Sequence, residues 1–324
     1  RLTCTRYNLR QGASQVVTAY DWATSANAMK VLVTTESRFD RTPDGTCWTV
    51  STSGYEFWQR YLDVFDEVRV AGRLRDVPTR PTASVRADGP SVSLVPLPYY
   101  LGPWDYARNY FQLRRVVRAL IDPADAVIIR APGMAGTLVV AALRDSGHPY
   151  GIETVGDPSE VFAPGSVRTV LRPLLRRWIP AALRRQCAGA CAVAYVTSAS
   201  LQIRYPAPAA THVTAYSSID LPDEAFAAGP RKVRTVPAVC QIVFVGTLEQ
   251  LYKAPDVLID AVAIANTKGA NIRLTIIGKG KHGPELKQRA ASRGLSNHVR
   301  FTGHLAPGGA IRKELDQSDL FVLP

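Results

Sequence analysis

Four short apolar runs in the stretch 241–324 decide the fold. Each is rich in β-branched and aromatic residues with little polar alternation, which is typical of strands buried on both faces of a parallel sheet. A helical segment, PDVLIDAVAIANTKG (255–269), follows the first run, with Pro255 at a first helical position and Gly269 just past the last turn. Because strands and helices alternate, the sequence predicts a doubly wound parallel sheet. The four runs are QIVFVG (241–246), IRLTIIG (272–278), HVRFTG (298–303) and DLFVLP (319–324).

The carboxyl ends of these strands are where a ligand is expected. In open α/β sheets, ligands bind beyond the carboxyl ends of the strands. A glycine there lets backbone N–H groups approach a phosphate, the next helix adds the positive end of its dipole, and Lys253 supplies a mobile charge. Tight turns also need glycines, and Lys253 could be an ordinary exposed lysine. The strand ends read Gly246-Thr247-Leu248, Gly278-Lys279-Gly280 and Gly303-His304.

Four blocks of this region resemble the retaining family 4 (group 1) glycosyltransferases, enzymes of the two-domain GT-B fold. The blocks are VFVGTLEQLYKAPDVLIDAV, LTIIGKGKHGPELKQRA, VRFTGHL and SDLFVLP, in the family's order. The resemblance implies sugar transfer, with retention, from a nucleotide-diphosphate sugar to a hydroxyl on a glycan or lipid-linked acceptor, as in polysaccharide biosynthesis. It implies no cofactor, and a leaving diphosphate stabilised by Lys253 and a helix end rather than by a bound metal. The donor-binding residues it implies are Gly246, Thr247, Lys253, Gly278, Gly280 and His304.

Two departures from the family pattern bear on the donor site. The family usually has an arginine close after the first-strand glycine, where this chain has Thr247, so a clamp of two cations is in question. In the family, the fourth strand is followed by a serine-rich turn and two glutamates that hold the sugar and the ribose. The sequence ends at Pro324, so we expect the donor domain to be incomplete, the chain to be a fragment, and the missing residues to complete the site.

The chain is expected to form two domains. Its 324 residues with 46% hydrophobic content can bury two cores. Residues 1–28 show no useful periodicity and no signal-peptide pattern, and we expect Met29 to be the natural start. The Pro-, Ala- and charge-rich stretch 220–238 is interpreted as a linker. The predicted organisation is an irregular extension (1–28), a Rossmann-like acceptor domain (29–219), the linker, and the donor domain (239–324).

The acceptor domain has its own strand–helix alternation, which predicts a second parallel sheet. Helices are predicted near 106–120, 136–145, 166–186 and 199–205. The predicted strands are KVLVTT (30–35), EVRVAG (67–72), VSLVPLP (92–98), AVIIR (126–130), YGIETVG (150–156), AVAYVT (192–197) and HVTAYSS (212–218).

Candidate acceptor-side residues follow the strands of this domain. The first strand is followed by TESRFDRTPDG, interpreted as a loop that faces the acceptor in the similar enzymes, with Glu36, Arg38 and Arg41. Arg130 ends another strand. Asp157 stands where related enzymes often have a polar residue, commonly histidine, close to the reacting sugar, and it is the expected catalytic partner of Lys253. Each of these residues could instead cap a helix or form a surface ion pair.

Cysteine usage and hydropathy favour a cytoplasmic protein. Five scattered cysteines, an odd number, indicate reduced thiols, and no window approaches 18 consecutive apolar residues. Cys187 and Cys191 lie four residues apart, but no second ligand pair is close in sequence, so a zinc site is not predicted.

The net charge of +12 is concentrated in one segment. Residues 161–219 contain no Asp or Glu, and arginines between Arg168 and Arg185 alternate with Leu and Trp178. Such a segment can lie on an anionic membrane surface, as suits a lipid-linked acceptor, or it can be a solvated helix face. Nucleic-acid binding is not predicted, because no recognised motif is present.

Two other functions fit the same fold. A sugar-nucleotide epimerase would bind the nucleotide but need no acceptor. A non-catalytic subunit of a glycan-assembly complex would neither transfer nor epimerise a sugar. Thr247 at the usual cationic position slightly favours this alternative.

Overall fold

The computed structural model describes residues 28–163, 170–217, 225–227, 229, 237–306 and 308–324. By their internal contacts, these residues form two compact units, with boundaries after residues 157, 178 and 218. The predicted extension 1–28, apart from Ala28, and most of the predicted linker 220–238 lie outside the described residues.

The amino-terminal unit is built on seven parallel strands in the order β5-β3-β1-β6-β7-β8-β9. All seven predicted strands form. A short antiparallel pair, β2 and β4, extends the sheet beside the end of β1 and was not predicted. The strands are β1 (Lys30–Arg41), β2 (Cys47–Thr49), β3 (Glu67–Asp76), β4 (Val85–Arg86), β5 (Val92–Leu97), β6 (Ala126–Ala131), β7 (Gly151–Thr154), β8 (Ala192–Tyr195) and β9 (His212–Ala215).

The helices of this part of the chain include all four that the sequence predicts. The predicted segment 166–186 forms as α5, although residues 164–169 lie outside the description. The short α1 and α4 were not predicted. The helices are α1 (Tyr55–Gln59), α2 (Gly102–Leu120), α3 (Met134–Ser146), α4 (Pro158–Val161), α5 (Arg172–Gly189) and α6 (Ser200–Arg204).

Alternation along β1 fills a core on each side of the sheet. Val31, Val33 and Phe39 point into one cluster, which includes the buried Trp58 of α1. Leu32 points into the other, where α2 contributes Leu113. Covering on both faces explains the continuous apolar character of the strand.

The prediction of a loop directly after the first strand was wrong. Strand β1 continues to Arg41, so Glu36, Arg38 and Arg41 lie within it. The register with β3 shifts between Thr34 and Arg38, and beyond this bulge Arg41 pairs with Cys47 of β2. The polar sequence gave no sign of a strand here, because this end of β1 is stabilised by pairing with β2 and β3 rather than by burial.

The carboxyl-terminal unit contains the predicted four-stranded parallel sheet, in the order β12-β11-β10-β13. Pro255 is the first residue of its first helix, and Gly269 beyond the end has φ +93°. Burial is less complete than expected: β10 and β11 are largely buried, whereas both residues of β13 are exposed. The elements are β10 (Cys240–Val245), α7 (Pro255–Thr267), β11 (Ile272–Ile277), α8 (Gly283–Ser292), β12 (Val299–Gly303), α9 (Gly309–Gln317) and β13 (Leu320–Phe321).

Each sheet reverses its strand order at its first strand. In the amino-terminal unit, strands accumulate on one side of β1 and then continue from β6 on the other side. In the carboxyl-terminal unit, β11 and β12 lie on one side of β10, and β13 lies on the other. Ligands of doubly wound sheets bind at such a switch point, beyond the carboxyl ends of the strands. A ligand is therefore expected where the pairing of β1 with β6 ends, after Thr34, and just after β10.

None of the described helices is long and apolar enough to cross a membrane.

Candidate functional site

Lys253 covers the glycine that ends the first strand of the carboxyl-terminal unit. A Cβ on Gly246 would lie 2.8 Å from Cδ of Lys253 and 3.1 Å from the Phe244 ring. The lysine stem therefore lies against bare backbone, and its half-buried side chain makes no hydrogen bond or ion pair with any described residue. This arrangement puts a cation that has no partner among the described residues at the switch point of the sheet.

Two further glycines let the next strand end approach the same backbone. Gly278 has φ +151°, and a Cβ there would stand 1.8 Å from the carbonyl oxygen of Gly246. A Cβ on Gly280 would stand 2.1 Å from the carbonyl carbon of Leu248. The Leu248 N–H donates to the carbonyl of Lys279 at 3.1 Å. Close approach of backbone to backbone is thus a sufficient reason for both glycines.

The remaining predicted donor residues lie at the same edge of the sheet. The Gly278 N–H donates to the carbonyl of Gly303 at 2.8 Å, and the exposed His304 follows directly. Thr247 is exposed, and its Oγ1 accepts a hydrogen bond from the Glu249 N–H at 3.3 Å. The threonine stabilises a local turn and adds no charge where the family usually has arginine.

The start of α7 gives only modest support to anion binding. Pro255 at its first position has no N–H, and Asp256 adds a carboxylate to the first turn. A carboxylate there already uses part of the favourable dipole potential. Lys253, which precedes the helix, is the main positive group of this loop.

Glu36 in the amino-terminal unit caps a helix. Its Oε1 accepts from the N–H of Ala135 at 2.8 Å, in the first turn of α3, and its Oε2 accepts from the hydroxyl of Tyr100 at 2.7 Å. The guanidinium of Arg73 lies 3.6 Å from Oε2 and also donates to the backbone carbonyl of Glu36. A negative group at a helix start is stabilising. The structure therefore uses both carboxylate oxygens of Glu36 to join β1 to α3.

Arg130 belongs to a largely buried polar cluster that the sequence did not reveal. It pairs with Glu153 of the neighbouring strand β7, and its Nη1 lies 3.2 Å from the hydroxyl of Tyr61. Tyr61 in turn donates to Glu153 at 2.8 Å. Burial, and then the charge of Glu153, raise the pKa of Tyr61, and they raise the pKa of Tyr216 to about 12. Both tyrosines therefore keep their phenolic protons at neutral pH, and Tyr61 donates its own to Glu153.

Asp157, Arg41 and Arg38 have different surroundings. Asp157 pairs with Arg204 and accepts from the hydroxyl of Tyr205 at 2.6 Å, which ties the end of β7 to α6. Arg41 forms a surface ion pair with Asp76 at 2.7 Å. Arg38 is exposed, and no hydrogen bond of its guanidinium is found within the described part of the chain. Glu36 is thus a helix cap, and Asp157 and Arg41 form ion pairs, as the alternatives to a direct ligand role predicted.

A metal site receives no support from side-chain geometry. Among the residues described, no group of three His, Cys, Asp or Glu side chains could hold a metal ion. Cys187 is buried, and desolvation raises its pKa to about 11, which disfavours the thiolate that a metal would need.

Solved structures share this architecture. The chain is similar to a UDP-forming α,α-trehalose-phosphate synthase from Burkholderia xenovorans, with a TM-score of 0.53 and 13% identity over 91% of this chain and 77% of that one. It is also similar to a sucrose-phosphate synthase from Thermosynechococcus elongatus, with a TM-score of 0.55 and 12% identity over 86% and 71% of the two chains. The chain has the GT-B fold.

A third GT-B structure has a bound sugar nucleotide. The E. coli trehalose-6-phosphate structure bound with UDP-2-fluoro glucose matches with a TM-score of 0.50 and 11% identity, over 91% of this chain and 78% of that chain. At these identities the likeness is one of fold.

Sequence comparisons agree with the glycosyltransferase class predicted above. Residues 240–324 match the family model described as glycosyl transferases group 1. Protein CapJ of Staphylococcus aureus is 21% identical over 273 residues, which cover 83% of this chain and 66% of CapJ. The family match lies in the carboxyl-terminal unit. It includes the site formed by Gly246, Lys253, Gly278 and Gly280.

Proposed function

We propose that this GT-B protein is a glycosyltransferase that moves a sugar from a nucleotide-diphosphate sugar to a hydroxyl acceptor, with retention of configuration. The observation that carries the proposal is the uncommitted Lys253 over Gly246, at the switch point of the sheet that matches the glycosyl transferase group 1 model. Trehalose-phosphate synthases described as UDP-forming share the fold, which supports a nucleoside diphosphate as the leaving group.

In the reaction, the bond between the anomeric carbon and the diphosphate oxygen breaks, and a bond from the acceptor oxygen to that carbon forms. The acceptor hydroxyl gives its proton to an oxygen of the leaving diphosphate, on which negative charge grows. Lys253 stabilises this charge, together with the N–H of Thr247, which has no partner among the described residues. The other N–H groups of the 246–249 turn already donate within the protein. Preorganised charge of this kind is commonly the largest contribution to catalysis, and it needs no redox cofactor.

Lys279 supplies the second cation that Thr247 does not. It lies between the two close-approach glycines, its side chain is exposed, and its carbonyl accepts from Leu248 in the donor turn. Lys253 and Lys279 then flank one diphosphate from adjacent strand ends. Gly278 and Gly280 let the two strand ends approach each other, and Gly246 leaves room for the Lys253 stem. Thr247 and His304 form the rim of the site.

The acceptor is a glycan or lipid-linked hydroxyl compound that binds near the carboxyl ends of the amino-terminal sheet. Arg38 is exposed there, its guanidinium has no partner among the described residues, and it is proposed to contact the acceptor. Glu36, Arg130 and Asp157 are proposed to position this surface, because their charged groups are already engaged. Arg41 is held by Asp76 and has the same supporting role. Asp157, expected from the sequence to be catalytic, would act on the reaction through Arg204 and Tyr205.

The cellular setting is also a proposal: a cytoplasmic enzyme of polysaccharide biosynthesis in peripheral contact with an anionic membrane. The Arg-rich segment, residues 168–185, supports the membrane contact. Four of its side chains are exposed on α5: Leu174, Arg176, Arg177 and Trp178. Arg168 lies outside the described residues. Nucleic acid is not proposed as a partner.

A panel of nucleotide-diphosphate sugars, incubated with and without glycan and lipid-linked acceptors, tests the activity. Acceptor-dependent release of nucleoside diphosphate supports the proposal, and NMR of the product's anomeric signal tests retention. Conversion of the donor sugar without acceptor would instead indicate an epimerase, and neither binding nor turnover would indicate a non-catalytic subunit. The comparisons do not favour these two alternatives.

A further inference from the structure

The solvent side of α2 carries two large aromatic side chains in open water. Trp104 is 75% exposed and Phe111 is 80% exposed. They are seven residues apart, two helical turns, so they lie on one side of the helix about 10 Å from each other. The opposite side packs Leu113 and Val117 into the core. Phe111 meets the ring of Tyr110 edge-on at 5.5 Å, but neither Trp104 nor Phe111 is buried in the core of this unit.

Arginines surround the two aromatics. Arg108, Arg114, Arg115 and Arg118 are all exposed on α2. At 100° per residue, Arg108, Arg115 and Arg118 fall within roughly 40° of Trp104 around the helix axis. Arg108 and Arg118 have exposed acidic partners at 3.7 and 3.5 Å, while Arg114 and Arg115 form no ion pair with any residue that the structure describes. We call this surface the Trp104–Phe111 face.

We propose that the Trp104–Phe111 face docks on a lipid bilayer that contains anionic headgroups. Tryptophan is favoured where hydrocarbon meets headgroups, and arginine buries its stem while its charged end stays among phosphates. An anionic surface supplies the counter-charge that Arg114 and Arg115 do not have among the described residues. Docking against the same face of a second copy would instead bring the arginines of both copies together, at a Coulombic cost.

This inference deepens the membrane contact of the proposed function and assigns it to a helix outside the Arg-rich segment. It does not depend on sugar transfer, because vesicle binding is measured without donor or acceptor. Failure of vesicle binding and failure of glycosyl transfer are therefore separate results.

Co-sedimentation of the full-length protein with vesicles tests the proposal. Vesicles of phosphatidylcholine alone are compared with vesicles containing phosphatidylglycerol. We expect binding only to the second kind, and release as NaCl rises from 0.1 to 1 M, because the Debye length falls from about 10 Å to about 3 Å. Equal binding to both kinds, or to neither, would overturn the proposal.

Two double variants and a matched control locate the contact. Trp104→Ala with Phe111→Ala should lower the partition coefficient about tenfold or more by removing inserted apolar area. Arg114→Gln with Arg115→Gln should lower it by about thirtyfold, roughly fivefold for each charge. Val257→Ala with Ile264→Ala on α7 is the control, because these apolar residues have the same spacing, are 55% and 58% exposed, and have no arginine between them. Circular dichroism checks that each variant folds.

Quenching of tryptophan fluorescence by brominated phosphatidylglycerol distinguishes contact through α2 from contact through the Arg-rich segment. We expect the Trp104→Phe variant to lose most of the quenching and the Trp178→Phe variant to retain it. The reverse result would move the contact to α5 and overturn the assignment. Unchanged vesicle binding of the α2 variants, with an altered molecular mass by light scattering, would instead show that a second copy covers this face.

Discussion

The stem of Lys253 lies across Gly246, with Cδ 2.8 Å from the point where a Cβ on that glycine would stand. The glycine leaves room for the lysine, and the lysine covers backbone that would otherwise be open. Any larger residue at 246 would push the lysine away from the end of β10. The position of the ammonium group is thus set by a residue seven places earlier in the chain.

Gly278→Ala should open the end of the carboxyl-terminal sheet. The new Cβ would stand 1.8 Å from the carbonyl oxygen of Gly246, and φ +151° is a conformation that L side chains rarely adopt. We expect the local free energy of opening to fall by about 2–4 kcal/mol. Hydrogen exchange of the peptides that contain β10 and β11 measures it.

Gly269→Ala is the control for this change. Gly269 also has positive φ, at +93°, but nothing lies within 4 Å of a Cβ there. Gly269→Ala should lower the local free energy of opening by only about 1 kcal/mol, from backbone strain alone. Equal effects of the two substitutions would contradict the close approach of the two strand ends.

Glu153→Gln should destabilise the amino-terminal unit by about 3 kcal/mol, because it leaves Arg130 largely buried without a counter-charge. Combining it with Arg130→Met should recover most of the loss, since the glutamine oxygen can still accept from Tyr61. Urea unfolding of the single and double variants measures the coupling. Simple addition of the two single losses would show that the pair is not coupled.

Asp260→Asn should weaken the contact between α7 and α8 in a pH-dependent way. Hydrogen bonds from Arg289 hold the pKa of Asp260 below its usual value, with Arg293 adding to the effect. A depressed carboxyl pKa stabilises the folded state above the unfolded pKa of about 3.9, and this contribution disappears as pH falls through the lower folded value.

Since this ion pair is partly exposed, we expect a loss of about 0.5–1 kcal/mol at pH 7. The difference between the two proteins should shrink to zero in acid, as measured by urea unfolding at stepped pH. The exposed Asp63→Asn serves as control. A difference that persists unchanged below pH 3 would argue against an electrostatic origin.

Local sequence patterns predicted most of the fold. Buried parallel strands are continuously apolar, and Pro255 and Gly269 mark the two ends of α7 by their backbone preferences alone. The contact between Gly246 and Lys253 was also within reach, because one short loop joins them. Where periodicity and turn chemistry decide the structure, the sequence was sufficient.

Contacts between distant segments could not be predicted. Glu36 was assigned to a loop, since neither its cap on Ala135, 99 residues away, nor the pairing of β1 with β2 is visible in local periodicity. Tyr61 meets Glu153 across 92 residues. One clue was present: a glutamate in the short strand YGIETVG needs a partner if it is buried. The sequence did not say which residue that partner is.

Lys253→Met tests the central claim most directly, because methionine keeps an apolar stem over Gly246 and removes only the charge. If Lys253 stabilises the donor diphosphate, the variant should lose a charge-assisted contact of about 1.5–3 kcal/mol. The kcat/KM for the nucleotide-sugar donor should then fall about ten- to a hundredfold. Lys253→Arg should retain most activity, and the exposed Lys268→Met on the far end of α7 should retain all of it. An unchanged kcat/KM in a folded Lys253→Met protein would contradict the donor site proposed at the end of β10.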